Sequence, residues 1–312
     1  MNNINIEDIK IANCYDYILL VLIKYYNYPC ELYYLNLFYT QYITESSSKL
    51  SEMLTRNCPV ESTVFIQKQY GVNIKYKDDI KEIKNQDIKK NIEIGHWFCI
   101  WIDAYYCRWT KFYEKQHWGH MCLILDRDNG LNQYLCIDVF YNEVGYINIS
   151  YSDFEKYSKG YSEIVFNEPL ELSSSHIIKI LKNDILVSNE RQIYEDYIKR
   201  IERISKSLNN EINEIVNIDS SMLLIKLKWI SADKKLFSNG LKYIEFETGI
   251  RINDKIYLLL SVAEEKWMNL HNYVIKSILT KNIAINKVVN IFSDIYKLDV
   301  ETNRLLQDVV KG

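Results

Sequence analysis

Proline and glycine are scarce in this chain, 3 and 9 of 312 residues, and neither sign of charge is in excess. With 38 basic residues against 41 acidic ones and a formal net charge of -3, it lacks the electrostatic footprint that nucleic acid or an anionic membrane would select. Neither is expected as a partner. A long apolar run is missing too. The longest early one, Ile18 to Ile23, is bounded by Tyr17 and Lys24, far short of a membrane span, and no basic start leads into an apolar segment of signal type. A cytoplasmic location is the expectation. The 7 cysteines are odd in number and lack CxxC spacing, which argues against a disulfide framework, structural zinc or a redox dithiol and predicts free thiols. There is no internal repeat and no low-complexity tail. What fills the chain instead is Ile, Asn, Lys and Tyr, and its 48% hydrophobic content is enough to bury a substantial core.

The pattern changes near residue 170. From about 94 to 167, short apolar runs alternate with turn signals: Trp97 to Trp101, Met121 to Leu125, Tyr134 to Phe140, Gly145 to Ile149 and Ile164 to Phe166. These read as strands. Between two of them, Asp126 to Gly130 carries an Asn-Gly pair, the signal of a tight reversal, so Met121 to Leu125 and Tyr134 to Phe140 are expected to form an antiparallel hairpin. Upstream, Cys14 to about Tyr26 is apolar on nearly every face, as a buried helix is, and Asn13 before it suits an N-cap. Further helices are expected at Cys30 to Tyr42, Leu50 to Cys58 and Ser62 to Tyr70. After Ser173 the pattern is helical, with segments at 173–183, 187–216, 219–239, 254–280, 284–296 and 300–310. The expected fold class is α+β, with a catalytic domain over 1–168 and a helical domain or extension over 169–312.

One constellation carries chemistry. A thiol becomes a useful nucleophile at a helix N-terminus or beside an imidazole, and Cys14 opens the first helix. His120 starts the strand Met121 to Leu125, and Asp138 lies on its hairpin partner, placed to hold the imidazole in one tautomer. Cys99, Cys122 and Cys136 lie inside strands and read as core. Cys107, His117 and His120 match no compact zinc spacing, and Asp126-x-Asp128-x-Gly130 lacks the carboxylate a calcium loop needs at position twelve, which is Ile137. No metal is expected. The cluster Asp103, Tyr105, Tyr106, Trp109, Tyr113 and Trp118 reads as a substrate pocket or as ordinary packing. His117 is a rim residue, and Asp103 is a candidate to hold an incoming ammonium group.

The order Asn13-Cys14-Tyr15-Asp16, then Trp118-Gly119-His120 and its strand, then Cys136-Ile137-Asp138, with 18 residues from His to Asp, resembles the papain-like cysteine enzymes. Ile100-Trp101-Ile102-Asp103-Ala104-Tyr105-Tyr106 followed by His117-Trp118-Gly119-His120 is similar to the bacterial branch containing the butirosin-pathway acyltransferase, and most of all to the amide synthase of closthioamide assembly. The resemblance covers roughly residues 5 to 166. It implies a papain-like fold and transfer of an acyl group from the phosphopantetheine thioester of an acyl or peptidyl carrier protein to Cys14 and then to a small-molecule amine, in natural-product biosynthesis. It implies no bound cofactor. In this reading His120 is the base, Asp138 orients it, and Asp103, Tyr105, Tyr106, His117 and Trp118 contact substrate. One departure stands out: where papain-like peptidases carry an oxyanion-hole Gln, about six residues before the nucleophile, this chain has Asp8. Two other readings stay open, a cysteine peptidase or amidase using the same triad and an inactive binding scaffold.

Overall fold

The computed structural model describes residues 13–37, 41–42, 49–55, 66–67, 69–84, 86–138, 145–167, 173–184, 207–215 and 217–311. It is mixed α+β and divides into two units, 1–30 with 59–170 and 31–58 with 171–312. Residues 31–58, expected within a 1–168 domain, therefore group with the helical unit. Their contacts run to its helices, as where the Ser51 N–H donates to Glu211 Oε2 at 3.0 Å.

The first unit is built on helix α1 (Cys14–Tyr25) and a sheet of six strands: β1 (Val72–Lys77), β2 (His96–Asp103), β3 (Gly119–Asp128), β4 (Gln133–Asp138), β5 (Gly145–Ser150) and β6 (Ser158–Phe166). The spatial order is β1-β6-β2-β3-β4-β5 with every pair antiparallel. Helix α1 packs on β3, helix α2 (Ile88–Glu93) lies against β2 and β3, and helix α3 (Tyr151–Tyr157) contacts β2, β5 and β6. This explains the unbroken apolar runs: Trp97 to Ile100 and His120 to Leu125 are buried at every position, because cover on both faces removes the polar alternation of a half-exposed strand. Likewise α1 is buried from Tyr15 through Ile23. Its C-terminal end is fixed by aromatics, with Trp97 Nε1 donating to Tyr26 Oη at 2.9 Å and the Tyr25 ring edge-on to Trp97 at 5.1 Å.

The hairpin forms between β3 and β4, but its reversal is not a two-residue Asn-Gly turn. Asp128 Oδ1 accepts the N–H groups of Gly130 and Leu131, and the left-handed residue is Asn132 at φ 52°, so the turn spans 129–132. Strand β1 lies outside the sequence reading, although Val72-Asn-Ile-Lys-Tyr-Lys77 alternates with period two.

In the second unit, helices α4 (Met222–Thr248), α5 (Asp254–Thr280) and α6 (Ile285–Lys311) are 27 residues each. They share a core around Trp267 and Phe292, whose rings meet edge-on at 5.6 Å. The segments 284–296 and 300–310, read as two helices, are one, since neither Gly nor Pro interrupts them. Helix α4 runs past its expected end at 239 because Gly240 admits the Glu31 carbonyl, 2.8 Å from where a Cβ would stand; Gly249 at φ 69° then ends it. The segment Cys30 to Tyr42, expected as one helix, is helical over Cys30–Tyr34 and 3-10 over Leu35–Leu37, and Gln41–Tyr42 pairs as a short strand with Leu54–Thr55. That pairing also cuts the helix expected at Leu50 to Cys58 back to Leu50–Met53. Of Ser62 to Tyr70, the described residues 66, 67, 69 and 70 are helical, as are 207–214 of the segment 187–216, where residue 215 is not; the remainder of both lies outside the described residues. No helix among the described residues is long and apolar enough to cross a membrane.

Candidate active site

Asn13 fixes where α1 begins. Its side-chain oxygen accepts the Asp16 N–H at 2.9 Å, and its amide donates to Asp16 Oδ2 at 2.8 Å, a reciprocal cap on the first turn. Cys14 is therefore the first helical residue, with its backbone N–H among those that a helix leaves without an intrahelical acceptor. It is partly exposed. By contrast Cys99, Cys107, Cys122 and Cys136 are fully buried. Burial pushes all four of those thiols upward in pKa, and the nearby carboxylates add to it for Cys107, Cys122 and Cys136, so they stay protonated and inert.

The strand register explains how His120 and Asp138 meet. Side chains alternate along β3, so His120 and Cys122 share a face, and the pairing of Leu123 with Ile137, carried one residue further, sets Asp138 opposite Cys122. His120 Nε2 lies 2.7 Å from Asp138 Oδ2, with both side chains almost wholly buried. The Cys14 thiol lies near enough to act on the same imidazole. Burial alone would favour the neutral ring, but the charge and hydrogen bond of Asp138, with Cys14 in addition, outweigh it and push the His120 pKa up to about 10. The structure thus brings Cys14, His120 and Asp138 together, with His120 hydrogen-bonded to Asp138 and the Cys14 thiol beside the ring.

Sequence reasoning missed two further groups on Asp138. Trp109 Nε1 donates to Oδ2, and Cys122 Sγ lies 3.5 Å from the same oxygen. Each had a signal. Cys122 is two residues beyond His120 on a strand, hence on its face, and Trp109 belonged to the aromatic cluster read as a substrate pocket or as ordinary packing, although an indole N–H is a donor that needs an acceptor when buried.

Beside this chain, β2 and β3 end in register, with Asp103 paired to Gly119. Asp103 is 5% exposed, and both of its oxygens are engaged. Oδ1 accepts the N–H groups of Tyr105 and Trp118, each at 3.1 Å; Oδ2 accepts His117 Nδ1 at 2.9 Å and lies 3.4 Å from Lys159 Nζ. Burial pulls its pKa up, yet the hydrogen bonds from His117, Tyr105 and Trp118 and the charge of Lys159 bring it below the ordinary carboxylate range. His117 is exposed and stacks on Tyr105 at 4.3 Å, and Tyr106 stacks on Tyr157 at 4.1 Å. The loop from 104 to 118 is thus tied at both ends by one carboxylate. Asp8 lies outside the described residues.

His120, Cys122 and Asp138 are the one group of three possible metal ligands among the described residues, their atoms within 4.8 Å of one another. The fit is poor. Two ligands of a tetrahedral zinc, each about 2.0–2.2 Å from the ion, stand roughly 3.3 Å apart. At 2.7 Å, His120 and Asp138 are instead in direct hydrogen bond, and Cys122 keeps its proton. Cys107 and His117 do not join this group. No family model matches the chain, and no curated protein matches it either.

Proposed function

We propose that the protein is a cysteine-nucleophile acyltransferase that forms amide bonds, with a papain-like catalytic unit. The observation that carries the proposal is the chain from a partly exposed thiol at a helix N-terminus, through a buried imidazole, to a buried carboxylate. Each link has a chemical use. Nε2 is committed to Asp138, which leaves Nδ1 to exchange a proton with Cys14 and with the groups that react there. The Cys14 sulfur attacks the carbonyl of an acyl thioester while its proton rests on His120. The tetrahedral adduct then collapses, the acyl–sulfur bond to the donor breaks, and the departing thiolate takes that proton. An amine next attacks the acyl-Cys14 thioester, His120 accepts the amine proton, and the Cys14 thiolate leaves as the amide departs. In this reading the Cys14 backbone N–H, which the helix leaves without an intrahelical acceptor, is the candidate donor to the oxyanion in both steps.

The donor and acceptor classes come from the family resemblance: the phosphopantetheine thioester of a carrier protein and a small amine. Tyr105, Tyr106, His117 and Trp118 would border the entrance on the loop that Asp103 secures. An ammonium group would reach Asp103 only at Oδ2, by displacing the exposed Lys159.

Intact-mass measurement tests the proposal. Incubation with acyl carrier thioesters should add one acyl group to Cys14, discharged by added diamine faster than by water. Equal discharge with and without amine would identify a hydrolase, and no adduct with any thioester or activated ester would identify a scaffold.

A further inference from the structure

We propose that Trp109 is a positioning residue of the catalytic chain, acting through Asp138 on His120. It rests on the reading of Cys14, His120 and Asp138 as the reacting set, and on an arrangement that this reading does not require. Three groups converge on a single oxygen, Asp138 Oδ2: His120 Nε2 from the start of β3, Cys122 Sγ two residues on, and Trp109 Nε1 from the 104–118 loop. Trp109 is the only one of the three that is not on β3. It is also the only one whose hydrogen-bonding role is fixed by its chemistry, because an indole N–H donates and never accepts.

That one-way character has two consequences. A carboxylate held by one imidazole alone can turn about its Cα–Cβ and Cβ–Cγ bonds and offer either oxygen. A second donor from a different element pins Oδ2, and with it the plane in which His120 presents Nδ1 to Cys14. The indole N–H also spreads the negative charge of the carboxylate, so Asp138 holds the imidazolium proton less tightly than an otherwise identical carboxylate would. Trp109 thereby tempers the rise that Asp138 imposes on His120, and keeps the base able to release its proton to a leaving group.

The groups acting on this ring come from two elements, Cys14 on α1 and Asp138 on β4, and Asp138 in turn acts on the buried thiols of Cys107, Cys122 and Cys136. Trp109 is the one member borne by the loop that Asp103 ties down, so the rim of the site and the orientation of the base are set by the same segment.

The test replaces the Trp109 indole, by site-specific incorporation, with its benzothiophene isostere, which keeps the ring's shape and removes only the N–H. The titration of His120 is followed by NMR of histidine ring nitrogens in the full-length chain, with the exposed His117 as internal control. The expected result is a rise in the His120 titration midpoint on the order of one pH unit, with His117 unmoved. An unchanged or lowered midpoint would overturn the proposal and leave Trp109 a packing residue. Because the readout is the imidazole, it stands whether or not Cys14 takes an acyl group: a wild-type protein that forms no adduct sinks the transferase reading while leaving this measurement intact.

Discussion

Both units bury charge, and they do different things with it. In the helical unit Lys234 on α4, 1% exposed, meets the partly buried Asp299 on α6 at 2.8 Å. In the sheet unit His120 and Asp138 are both almost wholly buried, and the partly exposed Cys14 thiol lies beside them. A buried ion pair is weak evidence for stability, since desolvation of both partners offsets most of their attraction. What separates these two is the third group. Lys234 meets a carboxylate, whereas the His120–Asp138 pair adjoins the partly exposed thiol of Cys14, the proposed nucleophile.

That contrast can be broken at several points. Cys14→Ala should abolish acyl-adduct formation, and peptide mapping should find no acyl group on Cys30, which is likewise partly exposed, or on the four buried thiols. Asp138→Asn should slow acylation by about 10²- to 10⁴-fold, the usual worth of a positioned acid–base group, measured by stopped-flow with an activated thioester. Lys234→Ala should leave the reactivity of Cys14 per folded molecule unchanged yet cost about 1–3 kcal/mol in urea unfolding, because it takes the cation from the partly buried Asp299. Replacing both partners, Lys234→Met with Asp299→Leu, should restore most of that loss. If Lys234→Ala also silenced Cys14, the separation between the units would fail. A smaller effect concerns pH. His120 in the folded state titrates near 10, above its unfolded value of about 6.5. Its contribution is therefore complete below pH 6.5 and lost as pH rises toward 10, so the urea midpoint should fall over that window in wild type and flatten in Asp138→Asn.

The same contrast marks what was legible in the sequence. Cys14, His120 and Asp138 could be found because each sits at a position that local signals define: Asn13 caps a helix, His120 precedes an apolar run, and Asp138 lies on the partner strand. Helix α5 could be read to its ends, Asp254 and Thr280, from periodicity. Long-range partners left no such trace. Nothing local in Gly240 announces the Glu31 carbonyl against it, and nothing near Trp109 indicates Asp138. The grouping of 31–58 with the helices likewise depends on contacts across some 160 residues, such as Ser51 with Glu211. Asp103 shows a middle case. Its place after an apolar strand was visible, but its four partners depend on how the strand ends pair, so a residue read as an open carboxylate proves to be the clasp of its own loop.

The smallest predicted effect sharpens the comparison most, because it uses one residue type in the same local role in both units. Asn13 caps α1 by accepting the Asp16 N–H at 2.9 Å, and Asn253 caps α5 by accepting the Lys255 N–H at 2.9 Å. Replacing either by Ala removes a capping bond, for about 0.5–2 kcal/mol of stability measured by urea unfolding. On stability alone the two variants should be alike. Only Asn13→Ala, however, loosens the turn that presents Cys14 to His120, so only it should slow iodoacetamide labelling of Cys14 under conditions where both variants remain folded. Equal labelling in the two would mean that the sulfur is placed by packing of α1 on β3 and not by its cap. The helix N-terminus would then be a structural coincidence of the site, and the orientation of the thiol would have to be sought in the buried face of α1 from Tyr15 onward.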